Sequence, residues 1–158
     1  MFGLFKARKQ IIISPADGDV VDLSEVPDEV FSQKMAGDGI AIFPRSNTFV
    51  APVSGTITKI FSTNHAFSIK TKAGLEVMVH IGLDTVALNG EGFKRLAKEG
   101  DTVNVGKPII SADLDFIEAQ GKKIITPIVV NHEKELTITS DKVRTIREGD
   151  NLLEVLIK

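Results

Sequence analysis

The chain has 158 residues, 42% of them hydrophobic and 25% charged, and its formal net charge is -2. This size and composition are typical of one globular domain rather than of a disordered or collagen-like chain, and the charge balance argues against nucleic-acid binding, which requires a basic face. The sequence contains no cysteine, which excludes disulfides, a thiolate nucleophile and cysteine-based metal sites and fits a reducing compartment.

The N-terminal stretch MFGLFKARKQ lacks the apolar region and cleavage site of a secretory signal. No apolar run in the sequence approaches the roughly 18 residues of a membrane-spanning helix. We therefore expect a cytoplasmic protein, with residues 1–10 as a flexible N-terminal segment and residues 11–158 as a single domain. A weak membrane-surface anchor at Phe2, Leu4 and Phe5 is the alternative, but the stretch is under three helical turns long, which favours a frayed end.

Short β-rich runs separated by turn residues dominate the rest of the chain. They lie at 11–14, 18–23, 39–43, 55–61, 65–71, 75–81, 107–114, 123–130, 135–139 and 152–157. This pattern predicts an all-β fold. Helical periodicity is limited to 90–100, where Phe93, Leu96 and Ala97 share one stripe, and to a turn or two at 114–121. The helices are therefore expected to be accessories.

Two short self-similarities indicate a repeated unit. PADG at 15–18 resembles PVSG at 52–55, and EGD at 99–101 resembles EGD at 148–150, each upstream of an apolar strand. Proline presets φ in a turn, and glycine three residues later supplies a positive φ. We therefore predict one antiparallel β-sandwich or flattened barrel of the barrel-sandwich hybrid type, with internal duplication and short accessory helices.

The run VMVHIGLDTV places a histidine in the middle of an apolar strand. If the preceding hairpin loop is Thr71–Gly74, Lys70 pairs with Leu75, and the same antiparallel ladder places His65 directly opposite His80. Opposed residues have Cβ atoms about 4.5–5.5 Å apart on one face of the sheet. A slip of one residue would put the two imidazoles on opposite faces, so that the contact depends on register.

The alternation of the strand assigns a direction to this histidine. Val77, Val79 and Ile81 form its aliphatic side, which we expect to face the core. His80 faces the other way, onto an apolar surface that remains open to a partner. The residues expected to line that surface with it are His65, Phe67 and Met78. A packed histidine without a function is the alternative, and a facing pair on a non-core surface makes it less favourable.

From the residues alone, three kinds of chemistry remain open at the histidine pair. A metal site lacks a third protein ligand. A hydrolase would use Ser62 or Ser68 with Asp84, but the sequence has no nucleophile elbow. In the third interpretation one neutral imidazole is a nucleophile, and the other donates a hydrogen bond to a transferred phosphoryl group.

Longer stretches of the chain resemble a known family. They are VPDEVFSQKMAGDGIAI (26–42), APVSGTITKIFSTNHAFSIKT (51–71), the segment from EVMVHIGLDTV to VGKPI (76–109) and TPIVVN (126–131). These segments, and above all TNHAFSI and VHIGLDTV, resemble the glucose-type enzyme IIA of the bacterial phosphotransferase system from about residue 11 onward. The resemblance implies an all-β phosphocarrier that acts in sugar uptake.

The resemblance also implies roles for individual residues. His80 would accept a phosphoryl group on Nε2 from phospho-HPr and pass it to a cysteine on the IIB domain of a sugar permease. His65 would be the auxiliary histidine, held by the Thr63 hydroxyl, while the Gly82 backbone would hold His80. No cofactor is implied for the transfer. In some relatives the histidine pair binds zinc with a carboxylate from a partner, so that zinc is expected at His65 and His80 only within a complex.

Partner docking is implied for the surroundings of the pair. Asp28 and Asp84 would flank the site and attract an arginine of HPr. The apolar rim implied by the resemblance consists of Val30, Phe31, Met35, Phe61, Phe67 and Val86, most of which would be assigned to the core from residue type alone. Glu29 and Ala36 stand where enteric members have valine, so the regulatory contacts of that branch do not carry over directly. Other proteins are expected to bind according to the phosphorylation state.

Two alternatives belong to other functional classes. APVSGTI and EGDTVNVGKPI are also similar to the turns of lipoyl- or biotinyl-type swinging-arm domains. Such a domain needs a modifiable lysine at a hairpin tip, and Lys72 in TKAG is a poor match. A regulatory binding module is the other alternative, and it is compatible with a phosphocarrier.

Overall fold

The computed structural model of the chain describes residues 8–140 and 144–158, and within them the fold is mostly β-structure. The strands are β1 (Arg8–Ile13), β2 (Gly18–Val21), β3 (Asp38–Pro44), β4 (Thr48–Val50), β5 (Gly55–Ile60), β6 (Ala66–Lys70), β7 (Glu76–His80), β8 (Phe93–Arg95), β9 (Thr102–Val103), β10 (Pro108–Ala112), β11 (Thr126–Asn131), β12 (Leu136–Thr139), β13 (Thr145–Ile146) and β14 (Asn151–Ile157). The helices are α1 (Glu29–Ser32) and α2 (Leu114–Ala119), and 3₁₀ turns lie at Leu23–Glu25 and Thr85–Leu88. The prediction of an all-β fold with accessory helices is confirmed.

The strands form three antiparallel sheets around a shared core. The largest sheet has the order β13-β2-β3-β11-β7-β6-β5-β9, and the smaller ones have the orders β1-β14-β12 and β4-β10-β8. One cluster of buried side chains joins all three sheets and includes the fully buried Ile12, Phe49, Val79, Ile110 and Val155. Burying side chains of this size stabilises the fold by about 1.5–3 kcal/mol each. The largest sheet ends in two different strands, so it forms an open ladder.

Reciprocal hydrogen bonds reveal the predicted internal duplication. The Val50 amide donates to the Pro15 carbonyl oxygen at 2.9 Å, and the Ile13 amide donates to the Pro52 carbonyl oxygen at 3.1 Å. Each Pro-to-Gly turn therefore accepts a hydrogen bond from the residue two positions before the proline of the other turn. Their glycines serve a different purpose from the predicted one, because both permit a close backbone approach. An added Cβ would lie 2.3 Å from a carbonyl oxygen of the neighbouring strand at Gly18 and likewise at Gly55.

The helix predicted at 90–100 is wrong. Phe93–Arg95 forms strand β8, which pairs with β10. Gly90 and Gly92 have φ values of 91° and 86°, which an α-helix does not accommodate, and Leu96 continues along β10 by donating to the Ile109 carbonyl oxygen at 2.8 Å. The apolar spacing of this segment therefore arises from strand and turn geometry.

The short helix predicted at 114–121 is confirmed as α2, and the Asp113 side chain caps it by accepting from the Phe116 amide at 3.1 Å. At the N-terminus, β1 already begins at Arg8, so residues 8–10 belong to the sheet and not to the flexible segment predicted for residues 1–10. The proposed anchor residues Phe2, Leu4 and Phe5 lie outside the described residues. None of the helices in the described part of the chain has the length and apolar character needed to cross a bilayer.

Candidate active site

His80 is the last residue of β7 and faces away from the core. Val77, Val79 and Ile81 are fully buried, whereas Met78 and His80 are partly exposed. The predicted alternation of this strand is therefore confirmed. It follows from the period of two in a strand, which places successive side chains on opposite faces of the sheet.

The predicted register of the hairpin before His80 is wrong by one residue. The observed pairs are Lys70 with Glu76 and Ala66 with His80. The loop is therefore one residue longer than predicted. Leu75 belongs to it, because its carbonyl oxygen accepts from the Thr71 amide at 2.9 Å and its amide donates to the Thr71 hydroxyl at 3.2 Å. His65 thus lies outside β6 and does not face His80 across the ladder.

The two imidazole rings nevertheless contact each other. Their centroids are 4.9 Å apart and their planes are inclined by 80°, an edge-on arrangement. His65 is the last residue of the loop 61–65 that joins β5 to β6. Asn64 has a left-handed φ of 62°, and the His65 carbonyl oxygen accepts from the Ile81 amide at 2.7 Å. The conformation of this loop, and not cross-strand pairing, brings the two histidines together.

A backbone hydrogen bond determines the tautomer of His80. Nδ1 lies 2.8 Å from the Gly82 carbonyl oxygen. A carbonyl oxygen can only accept, so Nδ1 carries the proton, and Nε2 of the neutral ring keeps its lone pair. Gly82 has a φ of 75°, and an added Cβ would lie 2.6 Å from Cγ2 of Thr85 and 2.7 Å from the Lys123 carbonyl oxygen. The position therefore requires glycine.

His65 is oriented by a side-chain hydrogen bond. Its Nδ1 lies 2.6 Å from the Thr63 hydroxyl oxygen. When the hydroxyl donates, the proton of the neutral ring is on Nε2, where it is available to a group bound beside His80. His65 is only 3% exposed, so it is less open than the sequence predicted. Its ring also contacts the Phe61 ring edge-on at 5.3 Å.

Burial favours the neutral form of both histidines. It lowers the pKa of His65 to about 4, with repulsion from His80 as the second cause. Burial also lowers the pKa of His80 below 6.5, although the hydrogen bond to Gly82 and the charges of Asp28 and Asp84 act in the opposite direction. Because both rings are uncharged near neutral pH, a lone pair on the Nε2 of His80 is available for reaction.

His80 opens onto a shallow apolar depression of about 310 Å³. Phe31 packs against the His80 ring at 5.0 Å, and Phe61 and Met78 complete an apolar floor. Asp28 caps α1 by accepting from the Val30 amide at 2.9 Å, and its carboxylate lies at the edge of the depression. Asp84 lines the same depression and has a left-handed backbone, with a φ of 57°.

Most of the predicted rim residues lie around this depression. Val30 and Val86 line it and are 47% and 54% exposed, so they present apolar surface to a partner, whereas Met35 is 72% exposed but is not one of its lining residues. Phe31 is buried but lines the depression, and Phe61 is partly exposed.

Phe67 is a correction to the predicted rim. It is 0% exposed and belongs to the core. In the observed register Phe67 pairs with Val79, and directly opposed residues share a face of the sheet, so Phe67 follows Val79 into the core. No partner can contact its side chain on this surface.

The alternative chemistries receive little support from the geometry. Two histidines do not complete a metal site, and in the described residues no group of three or more His, Asp or Glu side chains could hold a metal ion. For the hydrolase alternative, Ser68 is buried within β6 opposite Met78. For the swinging-arm alternative, Lys72 lies in the loop after β6, at the opposite end of β7 from His80.

The sequence-based reasoning missed one supporting residue. Thr85 is fully buried beside the depression, and its hydroxyl donates to the Ile81 carbonyl oxygen at 2.7 Å. This bond crosses the turn that carries Gly82. A threonine directly after a strand and a GLD turn was the available signal, since its hydroxyl commonly bonds to nearby backbone groups.

Comparisons with known proteins identify the family of the chain. A family model described as "phosphoenolpyruvate-dependent sugar phosphotransferase system, EIIA 1" matches residues 10–136. The glucose-specific EIIA component from Buchnera aphidicola is 44% identical over 152 residues, which cover 96% of this chain and 94% of that protein. The N-acetylglucosamine-specific EIICBA component from Klebsiella pneumoniae is 52% identical over 124 residues, which cover 78% of this chain but 19% of that protein.

A solved structure shares the fold over nearly the whole chain. The glucose permease IIA from Mycoplasma capricolum superposes with a TM-score of 0.88 at 40% identity, and the match covers 93% of this chain and 96% of that one. The chain belongs to the EIIA 1 family of the phosphoenolpyruvate-dependent sugar phosphotransferase system.

Proposed function

We propose that this chain is a phosphocarrier that accepts a phosphoryl group from phospho-HPr on Nε2 of His80 and passes it to the IIB domain of a glucose-type sugar permease. The EIIA family acts as a phosphotransferase component, and family membership supports this role. One observation carries the proposal for the site. The two imidazoles lie in edge-on contact with both Nδ1 atoms hydrogen-bonded, so that both Nε2 atoms remain for the phosphoryl group.

The transfer requires a neutral nucleophile at His80. The Nε2 lone pair attacks the phosphorus atom, a new N–P bond forms, and the bond to the donor imidazole breaks with its electron pair returning to the donor nitrogen. In the onward step a cysteine thiolate of the acceptor attacks phosphorus, and the pair of the N–P bond returns to Nε2. Phosphoryl transfer of this kind relies mainly on positioning and electrostatic stabilisation, and here the hydrogen-bonded imidazole pair would supply both.

His65 stabilises the transferred group. With Nδ1 bonded to the Thr63 hydroxyl, its Nε2–H donates a hydrogen bond to a phosphoryl oxygen on His80. Such a donor is most effective in a site with little water, and His65 is buried. The pKa of His65 is lowered to about 4, so the ring remains a neutral donor at working pH.

The depression is the docking surface for both partners. Asp28 and Asp84 attract basic groups of HPr, and Val30, Met35 and Val86 supply apolar contact area. Donor and acceptor must both reach Nε2 of His80, so they bind one after the other. Regulatory proteins that distinguish the phosphorylated from the free form would read the same surface, because phosphorylation adds negative charge at its centre. Both the donor and the acceptor would meet this chain in the cytoplasm.

The transfer itself needs no cofactor in this proposal. Zinc would find two ligands in the Nε2 atoms of His65 and His80, since both Nδ1 atoms are engaged elsewhere. A tetrahedral site requires further ligands. A partner carboxylate would have to supply one of them, so zinc would bind only at the interface of a complex.

Labelling of His80→Gln tests the function. Wild-type protein incubated with phosphoenolpyruvate, enzyme I and HPr should gain about 80 Da in an acid-labile form, as expected for phosphohistidine. His80→Gln should gain nothing. His132→Gln is the matched control and should leave labelling intact, since His132 follows β11 and its ring bonds to the Ala73 carbonyl oxygen, in the loop at the opposite end of β7 from His80. Labelling of His80→Gln at the wild-type level would refute the proposal. Transfer from phosphorylated wild type to a panel of IIB domains then identifies the sugar, because the IIB domain belongs to a permease of known specificity.

A further inference from the structure

Two side chains from the segment 95–99, which follows the active-site turn in sequence, hydrogen-bond to the loop that carries His65 or to the residue before it. Arg95, at the end of β8, donates from Nε to the Asn64 side-chain oxygen at 2.6 Å. Its Nη2 also approaches the carbonyl oxygens of Ile60 and Phe61 at 3.4 Å. From the same segment, the Glu99 carboxylate accepts from the Ile60 amide at 2.8 Å. One guanidinium therefore contacts both ends of the loop 61–65.

Strand pairing holds only the ends of this loop, where the Phe61 amide donates to the Ala66 carbonyl oxygen at 2.9 Å and the Ile81 amide donates to the His65 carbonyl oxygen at 2.7 Å. The Asn64 amide donates to the Phe61 carbonyl oxygen at 2.7 Å, which closes a tight turn, and Asn64 itself has a left-handed φ of 62°. His65 follows directly and lies outside β6. A change of backbone conformation at Asn64 would therefore move the His65 ring relative to His80.

The backbone of Arg95 is held in place because its strand, β8, pairs with β10. Arg95 pairs with Ile110 of β10, and the next residue, Leu96, donates to the Ile109 carbonyl oxygen at 2.8 Å. Ile109 and Ile110 are both fully buried in the core. The arginine side chain is exposed, yet its backbone is anchored on the interior of the fold. The planar guanidinium group of Arg95 can donate to several acceptors at once, which the ammonium group of a flexible lysine side chain does less well.

We propose that Arg95 is a positioning residue for the auxiliary histidine, acting through Asn64 to hold the loop 61–65 so that the His65 ring stays against His80. This inference rests on the proposed phosphocarrier function, within which it assigns a role to a residue outside the depression. Arg95 touches neither the phosphoryl group nor a partner in this role. The step that depends on His65, onward transfer, should depend on Arg95 more strongly than acceptance from HPr does.

Three variants separate positioning from other roles of a basic residue. Arg95→Met keeps an aliphatic side chain of similar length and removes the guanidinium group. Asn64→Gly removes the acceptor and still permits the left-handed φ, because glycine adopts it without strain. Lys94→Met is the matched control, since Lys94 is an exposed basic residue next to Arg95 on the same strand. All three are first checked for native circular dichroism at the assay temperature.

The first readout is the His65 ring of the unphosphorylated protein, observed through its nitrogen chemical shifts. Wild type and Lys94→Met should show one persistent neutral tautomer. Arg95→Met and Asn64→Gly should show averaging between tautomers and a pKa of His65 that moves up toward its ordinary value, because a mobile ring is better hydrated. Wild-type ring signals in Arg95→Met would overturn the inference.

The second readout is single-turnover phosphoryl transfer. Arg95→Met and Asn64→Gly should slow onward transfer to IIB by about tenfold or more, as small displacements of a catalytic group can. Acceptance from HPr, and both steps in Lys94→Met, should stay within about twofold of wild type. The double variant should be no slower than Arg95→Met, because Arg95→Met already removes the bond to Asn64. Equal loss of both steps, or additive losses, would overturn the inference. If wild type accepts no phosphoryl group, the function fails instead, and the ring spectra still test the positioning by Arg95.

Discussion

The His80 ring donates its Nδ1 proton to the carbonyl oxygen of Gly82, two residues further along the chain, over 2.8 Å. The bond is possible because Gly82 has a φ of 75° and turns its carbonyl back toward the end of β7. A single backbone turn thus selects the tautomer and aims Nε2 at the depression. The residue types at positions 80 and 82 therefore act as one unit.

Gly82→Ala should disturb the hydrogen bond between the His80 ring and the carbonyl oxygen of residue 82. The added Cβ would meet Cγ2 of Thr85 at 2.6 Å and the Lys123 carbonyl oxygen at 2.7 Å, in a backbone conformation that strains alanine. We expect a loss of about 1–3 kcal/mol in the free energy of unfolding, measured by urea denaturation, and slower phosphorylation of His80 by phospho-HPr.

Gly121→Ala is the control for Gly82→Ala. Gly121 has a similar φ of 80°, but an added Cβ there would meet nothing within 4 Å. It should therefore show the conformational strain alone, roughly 1 kcal/mol, with a normal phosphorylation rate. If both alanine variants accept the phosphoryl group as fast as wild type, the Gly82 turn does not orient His80.

His65→Gln should separate the two halves of the transfer. Acceptance needs the lone pair of His80, whereas onward transfer needs charge on the phosphoryl oxygens to be stabilised as the N–P bond breaks. We expect labelling by HPr to persist and transfer to IIB to fall by about 10²-fold or more, as for the loss of an oxyanion donor. Rapid-quench assays of each step provide the measurement. Loss of the two steps to the same degree would contradict this division of roles.

The low pKa of His65 should make the fold less stable in acid. Its pKa in the folded chain is about 4, against an ordinary value of 6.5. Between these values the unfolded chain binds a proton that the folded chain does not, so the free energy of unfolding falls as pH decreases from 6.5 to 4 and is unaffected by this residue above 6.5. The shift corresponds to roughly 3 kcal/mol.

Urea unfolding of wild type and His65→Gln across this pH range measures the contribution. The difference in stability between the two proteins should change by a few kcal/mol between pH 6.5 and pH 4, in favour of His65→Gln at the acid end. Parallel pH profiles for wild type and His65→Gln would show that His65 titrates normally in the folded chain.

The parts of the site that could be predicted from the sequence are local. The outward direction of His80 follows from the period of two in its own strand, and it was predicted correctly. The register of the β6–β7 hairpin depends instead on whether Leu75 joins the strand or the loop. The two hydrogen bonds between Thr71 and Leu75 decide this, and alternating apolar residues do not reveal them. For that reason Phe67 was placed on the outward surface beside His80 although it packs in the core.

The segment 90–100 shows the same limit on a larger scale. The spacing of its apolar residues fits a helix, yet the segment forms β8 because it pairs with β10, a contact that is absent from the local sequence. The strand arrangement in turn directs Arg95 toward Asn64, so its contact with the His65 loop could not be inferred from the chain alone. Strands of two or three residues, such as β9 and β13, are too short to show any periodicity.

Asp28→Asn with Asp84→Asn should slow association with phospho-HPr without disturbing the fold. Asparagine caps a helix as well as aspartate does, which suits Asp28, and it tolerates the left-handed backbone of Asp84. The association rate at low salt should fall by about tenfold, and the difference should shrink as added salt screens the charges.

Asp113→Asn is the matched control, because Asp113 caps α2 in the same manner but does not line the depression. Stopped-flow association over a salt series measures both. A difference that persists at high salt would mean that the carboxylates make close contacts with HPr and do not steer it from a distance.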